Sequence, residues 1–387
     1  MNISLIATTH KDYVAKKSDF DYFSGLCAGV CYMPNDFKTL SNENEEKTIK
    51  RMLMTKNNGH HSVFDHCYMS LYLENIPKIL AMIINNEKMY TTSEKSGRYT
   101  QMKLPDDEQK LYDKWLVIFK DAIEKTYEKN KFFTDNRILK LAQENARYVT
   151  SIFTPVSMVY SVSYRQLNYL YGFFKGFIAE KHKSVLKQRI AKELEDFCKE
   201  LEKLGYIDEI LQNNNKQREI SLFAKRKNVK DYFGEVYVTS YKGTLSQFAQ
   251  AQRHRTLDMS IAELSNFEIY VPKIIRNDED LVKEWKEDIL SLKDSFPQAQ
   301  LYKIIEKGTL DNFILKSKER LCSFAQLEIH EQTYKTMQKY ANFLKKNDAK
   351  LYKVIANYNK TSRCQFPKFK CTSPCGYVQG IKCDRLI

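Results

Sequence analysis

Residues that interrupt regular structure are scarce in this chain, with only 12 Gly and 8 Pro among 387 residues. Set against 25 Tyr and 22 Phe, that scarcity excludes collagen-like, low-complexity and disordered classes. No run of about 18 uncharged apolar residues occurs, which argues against a transmembrane helix. The opening MNISLIATTHKDY has neither the basic start nor the apolar stretch of a secretory signal. An intracellular, cytoplasmic protein without a membrane partner is the expectation.

The length suggests two domains or one large one, and 43% apolar residues are ample for a core. Lys and Arg total 62 against 48 Asp and Glu, a net charge of +14. Such a balance draws anions, whether nucleic acid, acidic lipid or phosphorylated small molecules. The basic residues form no block, so a nucleic-acid tail is not indicated and anionic nucleotides remain compatible. Nine Cys is an odd number, and Cys364, Cys371, Cys375 and Cys383 crowd the C-terminal end. In an intracellular chain this cluster reads as a metal site or as reduced thiols. Four thiolates could bind zinc, although no paired C-x2-C occurs.

The chain also shows self-similarity. Around residue 65, Cys67, Met69, Leu71 and Leu73 alternate with Tyr68, Ser70, Tyr72 and Glu74, the pattern of a half-buried strand. A break at Ile76-Pro77 and a helical stretch, KILAMIINNEK, follow. The same order returns as the strand VYVTSY, the break Lys242-Gly243-Thr244 and the helix LSQFAQAQRHR. Pro77 then lies opposite Thr244, an offset of 167 residues, and Phe174 lies opposite Arg320, an offset of 146. Chance similarity of two strand–helix units is the alternative to a duplication. Between the halves, Leu186, Ile190, Leu194, Phe197, Leu201 and Leu204 recur at spacings of three and four. Ser184 stands at the N-cap position and Gly205 just beyond the C-terminus, so a helix is expected there. NNNKQRE at 213–219 reads as a joining loop, and IHEQTYKTMQKYANFL as a second amphipathic helix.

Three stretches carry chemistry. In SEKSGRY, Ser96 and the backbone around Gly97 could bond phosphate oxygens while Arg98 adds a forked cation. Glu94 could accept from a sugar hydroxyl. In QAQRHR, Gln250 and Arg253 share a helix face, with His254 and Arg255 beyond them, a set able to bind pyrophosphate. A polar loop and a solvated basic helix end are the bland readings of these two. GHHSVFDH holds three His and one Asp, but His60, His61, Asp65 and His66 match no standard zinc spacing.

Together these residues resemble the flavin-dependent thymidylate synthase family, whose signature runs from Arg-His-Arg to Ser-x-Arg-Tyr. Here the signature is divided. The earlier half keeps Glu94, Ser96, Arg98 and Tyr99 but has Asn86-Glu87-Lys88 for Arg-His-Arg; the later half keeps Arg253-His254-Arg255 and decays to Glu263-Leu264-Ser265. Glu144-Asn145-Ala146-Arg147 resembles the family's Glu-x-Ala-Arg, with Ser163 and Arg165 at its Asn-x-Arg. Arg320 with Ala325-Gln326-Leu327-Glu328-Ile329 resembles its Arg…Ala-Gln-x-Glu-Ile. Phe174 is the earlier counterpart of Arg320, and Lys293 the later counterpart of Arg147. Asp65 stands where the family has Glu.

The resemblance implies an α+β fold of two tandem modules, 1–215 and 216–355, each a mixed or antiparallel sheet with helices, forming a pseudo-dimer in one chain. A Cys-rich tail, 356–387, follows. A homodimer would replace the family's tetramer. The implied reaction is reductive methylation of dUMP to dTMP with FAD, NADPH and methylenetetrahydrofolate. Glu94, Ser96, Gly97, Arg98, Arg147, Gln250, Arg253 and Arg320 would bind the nucleotide, with Arg253 and Arg320 catalytic. His60, Ser62, Asp65, His254 and Arg255 would contact FAD, with Ser163 and Arg165 as further candidates. The alternatives are flavin-dependent C5 alkylation of another pyrimidine nucleotide, or a degenerate paralogue that binds nucleotide or nucleic acid without turnover.

Overall fold

The alternating run after residue 66 builds the first sheet. In the computed structural model, which describes residues 1–9, 15–95, 103–212, 218–224, 230–373, 375 and 385–387, Cys67, Met69, Leu71 and Leu73 are all buried. They line the inner face of β2 (Tyr68–Pro77), which lies between β1 (Asn2–Thr8) and β4 (Pro155–Ser163). A short β3 (Thr91–Glu94) pairs with the far side of β4, so the order is β1-β2-β4-β3 with every pair antiparallel. Pro77 does not interrupt this strand as the sequence suggested. It pairs with Pro155 and leads directly into helix α4 (Lys78–Asn86), because its fixed φ of −58° suits both the strand end and the residue before a first helical turn.

This sheet belongs to a unit made of 1–95 and 155–221. Its other helices are α1 (Lys17–Tyr32), α2 (Phe37–Ser41), α3 (Glu45–Asn57), α7 (Tyr164–Ala179), α8 (Val185–Lys203) and α9 (Glu209–Gln212). Helix α8 forms as its spacing predicts: Leu186, Ile190, Leu194, Phe197 and Leu201 are buried, and the Ser184 hydroxyl accepts from Lys187 N–H at 3.3 Å. Gly205 takes φ +76°, a left-handed conformation that suits a residue without Cβ.

The second unit comprises 96–154 and 222–387. Its sheet contains β5 (Tyr232–Phe233), β6 (Val236–Thr244), β7 (Asp258–Glu263) and β8 (Leu301–Thr309) in the order β5-β6-β8-β7, again wholly antiparallel. Strand β6 leads into α10 (Leu245–Ala251) and β8 into α12 (Leu310–Arg320), as β2 leads into α4 and β4 into α7. The expected helix over 245–255 stops at Ala251. His254 N–H bonds to Ala251 O and Leu257 N–H to His254 O, turns that bring the chain round to β7.

Residues 96–154 hold α5 (Asp106–Tyr127) and α6 (Asp135–Ala146), and the second unit adds α11 (Glu279–Ser291), α13 (Leu327–Asn347) and α14 (Ala349–Ala356). Trp115 on α5 meets Trp285 on α11 edge to face, with centroids 4.7 Å apart. Their indole N–H groups donate to Asp288 and to the Tyr270 carbonyl, each at 2.8 Å. The backbone adds Gln298 N–H to Thr150 O and Ala299 N–H to Tyr148 O, both at 2.8 Å. The compact units are therefore a different division of the chain from the modules 1–215 and 216–355. No helix among the described residues is long and apolar enough to cross a membrane.

Candidate functional site

In the second unit, three chain turns aim polar side chains at one buried point. Helix α6 ends at Ala146, and a 3-10 turn over Arg147–Val149 sends Arg147 and Tyr148 inward. The N-cap Thr244 starts α10, and Gln326 precedes α13, which puts Glu328 in that helix's first turn. Gln326 Oε1 accepts from Arg147 Nη2 at 3.0 Å and from Gln250 Nε2 at 2.6 Å. Gln326 Nε2 donates to the Tyr148 hydroxyl. That hydroxyl donates to Glu328 Oε2 at 2.7 Å, and Glu328 also accepts from Thr244 N–H at 2.8 Å and from its hydroxyl at 2.7 Å.

Proton positions follow from burial. Burial drives the Tyr148 phenol well above its ordinary value, with the Glu328 charge adding to the effect, so the phenol stays protonated. Its proton goes to Glu328, which leaves its lone pairs for the Gln326 amide N–H. The Gln326 carbonyl must then be the end that faces Arg147 and Gln250. Burial also raises the Glu328 carboxyl, while its hydrogen bonds from Thr244 and Tyr148, and the Arg147 charge, pull it back.

A second contact lies at the end of α12. Arg320 Nε donates to Nε2 of His254 at 2.7 Å. Burial, with Arg320 and Lys316 nearby, pushes the His254 imidazole down to about 3. The ring is neutral at physiological pH and accepts the Arg320 hydrogen bond. Arg253 and Arg255, on either side, are exposed. Gln250 and Arg253 therefore do not share a helix face: α10 has ended before Arg253, leaving Gln250 buried and Arg253 in solvent.

The first unit gathers another set. Asp65 accepts from the Ser163 hydroxyl at 2.7 Å and pairs with Arg165 at 2.8 Å, while Arg165 lies over the Tyr169 ring at 5.1 Å. Ser163 also caps α7, accepting from Gln166 N–H at 3.1 Å. His60 is exposed and bonded to Tyr32, and Ser62 is exposed. Glu94 pairs with Lys78 at the start of α4. Glu87, the counterpart of His254 at the 167-residue offset, is wholly buried, pairs with Arg218 and accepts from Ser221 N–H at 2.6 Å.

Ser96, Gly97, Arg98 and Cys383 lie outside the described residues. Cys364, Cys371 and Cys375 are free thiols, and no group of three or more metal-ligating side chains occurs among the described residues. Sequence reasoning missed Tyr148, Thr244 and Lys78, and quoted Gln326 and Glu328 only as parts of a motif. Their signal was available in that motif: an amide and a carboxylate beside apolar Ala325, Leu327 and Ile329.

Residues 14–198 match the sequence model of the family described as thymidylate synthase complementing protein. That stretch, a little under half of the chain, is what the family's model matches. The match agrees with the resemblance carried by the Glu-x-Ser-x-Arg-Tyr and Glu-x-Ala-Arg motifs, which both lie inside it. No curated protein matches the sequence. Among solved structures, the chain is similar to thymidylate synthase X from Helicobacter pylori with FAD and dUMP, at 14% identity and a TM-score of 0.33. That alignment spans 55% of this chain and 100% of that one. It is also similar to a UMP/dUMP methylase from Streptomyces cacaoi bound with 5-Br dUMP, at 16% identity and a TM-score of 0.33, over 52% of this chain and 88% of that one.

Proposed function

We propose that this chain is a flavin-dependent thymidylate synthase-like enzyme that methylates dUMP to dTMP, using FAD, NADPH and methylenetetrahydrofolate. The observation that supports it most is Gln326 Oε1, which holds Arg147 and Gln250 together. Arg147 comes from the Glu-x-Ala-Arg motif of the earlier half and Gln250 from the helix before Arg-His-Arg of the later half. Motifs that each half has lost separately meet in one compact unit.

The donor set suits the ligands. Ser246 Oγ, Gln250 Oε1 and both amide atoms of Gln247 are buried without a hydrogen-bond partner among the described residues. Ser246 and Gln250 stand one turn apart on α10, so both would face the same ribose or base. Arg147 and Arg253 would bind the nucleotide phosphate together with Ser96, Gly97 and Arg98. Arg320, oriented by neutral His254, would stabilise negative charge developing on the pyrimidine. For FAD, Arg165 spends one N–H on Asp65 and keeps others for a phosphate, with Ser163, Asp65, His60 and Ser62 as further contacts. Bound FAD would supply the redox chemistry, and the protein the orientation and electrostatics.

The two halves are read as a tandem duplication whose copies kept complementary half-sites. Both sheets have the same strand order, and Ser163 and Thr309, at the 146-residue offset, each cap the helix that follows. A homodimer would then take the place of a tetramer.

The deciding experiment is the visible absorbance of the purified protein with and without FAD, followed by NADPH oxidation with and without dUMP and tracing of the labelled methylene carbon. A flavin spectrum, dUMP-dependent oxidation and label in dTMP are expected. A protein that takes up no FAD and oxidises no NADPH would sink the reading. Label appearing in another pyrimidine nucleotide would shift the substrate, a point that Asp65 and Glu263-Leu264-Ser265 leave open.

A further inference from the structure

We infer that Gln326 is a positioning residue that sets the guanidinium of Arg147 and the amide of Gln250 in one fixed arrangement for the nucleotide, and that Tyr148 is the brace that keeps Gln326 oriented. The inference rests on the reading above, since it takes Arg147 and Gln250 as nucleotide ligands.

An amide side chain can present either its carbonyl or its NH2 to a given neighbour. Arg147 and Gln250 both approach with N–H groups, so they need the carbonyl. Nothing in those two contacts alone would prevent the amide of Gln326 from reversing when a ligand competes for its donors. Tyr148 supplies that constraint. Its hydroxyl donates to Glu328, is thereby committed as an acceptor on its other side, and takes the Gln326 N–H. Glu328 is held in turn by the backbone N–H and hydroxyl of Thr244, the N-cap of the helix that carries Gln250. The chain of bonds from Thr244 through Glu328, Tyr148 and Gln326 returns to Gln250 and closes on α10 itself. Arg147 and Tyr148 are adjacent on one 3-10 turn, so a single short segment contributes both a ligand and its brace.

Every member of this circuit is at least nine-tenths buried, with Gln326 at 2% and Tyr148 at 1% exposure. Water does not replace a lost partner freely at such a site, so removing the Gln326 carbonyl leaves two donors to reorganise. Gln326 touches neither reacting atom nor ligand in this scheme. Its influence runs entirely through Arg147 and Gln250.

The test measures the Kd for dUMP of FAD-supplied wild type, Gln326→Met, Tyr148→Phe and the double variant, with thermal unfolding alongside. Gln326→Met should raise the Kd roughly tenfold or more, the scale of one hydrogen bond to a charged group. Tyr148→Phe should raise it by a smaller factor, and the double variant should bind no more weakly than Gln326→Met, because the brace acts only through the amide. A purely structural role would lower the melting temperature and leave the Kd of the folded protein unchanged. A Kd within about twofold of wild type in folded Gln326→Met overturns the inference and leaves the proposed function standing. Should Gln326→Met fail to fold, Tyr148→Phe decides alone, and an unchanged Kd overturns the inference. A wild type that binds FAD but no pyrimidine nucleotide overturns the reading of Arg147 and Gln250, and this inference with it.

Discussion

The Arg320 guanidinium donates through Nε to Nε2 of His254 at 2.7 Å, which places a neutral imidazole beside a permanent cation. A protonated ring could not accept that bond and would repel both Arg320 and Lys316. The arrangement orients the cation at the cost of sensitivity to acid.

That sensitivity has a definite sign. His254 titrates near 3 when folded and near 6.5 when unfolded, so below pH 6.5 the unfolded chain binds the extra proton. Its contribution is intact above 6.5 and is lost progressively as pH falls towards 3. His330, half-buried and pushed down to about 3 by desolvation and the nearby Arg385 charge, acts in the same direction. Unfolding free energy should fall with pH in this window, on the order of 1 kcal/mol per pH unit for each histidine. In denaturant titrations at several pH values, His254→Gln should flatten the slope by about one proton. An unchanged slope would show that the imidazole is protonated in the folded state.

Lys316 and Glu306 form a fully buried pair at 2.6 Å, and Glu306 also accepts from Tyr237 at 2.6 Å and Tyr241 at 2.8 Å. Lys316→Met strands a buried carboxylate and should cost roughly 3–5 kcal/mol. Adding Glu306→Gln should recover a large share, since no charge is left uncompensated. Urea midpoints of the three proteins check this, and equal losses in the single and double variants would contradict it.

Trp285 is wholly buried against Trp115 and Phe119. Trp285→Ala should destabilise the second unit by about 3–5 kcal/mol through the cavity it opens. The readout is the unfolding transition followed by the fluorescence of Trp115. A shift within error would mean that this contact does not hold the helices together.

Arg253 is exposed and should behave in the opposite way. Arg253→Ala is expected to leave the melting temperature within about a degree or two, because surface substitutions cost little. The same variant should lose at least about tenfold in dUMP-dependent NADPH oxidation, as expected when a charged hydrogen bond to an anion is removed. Full activity would remove Arg253 from the site.

Local pattern was readable wherever a residue's fate depends on near neighbours. The spacing of Leu186, Ile190 and Leu194 with Ser184 and Gly205 at the ends marked α8 closely. The alternation at Met69, Leu71 and Leu73 marked β2. The end of α10 was not readable, because LSQFAQAQRHR has no helix breaker before Arg253. The helix stops at Ala251 and the chain turns into β7, which pairs with β8, a strand that begins only at Leu301. The pairing of Glu94 with Lys78 was not readable either, because nothing nearby in sequence announces Lys78 as its partner.

By itself, then, the amino-acid order determined the strand–helix repetition, the sheet faces and the chemical kinds of group available to a site. Periodicity and capping are short-range effects, and they are written in adjacent residues. Tertiary structure alone decided that Arg147, Gln250 and Gln326 meet, since 179 positions separate the first from the last. It also decided that residues 96–154 pack with 222–387. Hydrophobic burial has no direction and no memory of chain distance. Which distant faces close on one another, and which polar groups are trapped there with only each other as partners, is settled when the whole core condenses.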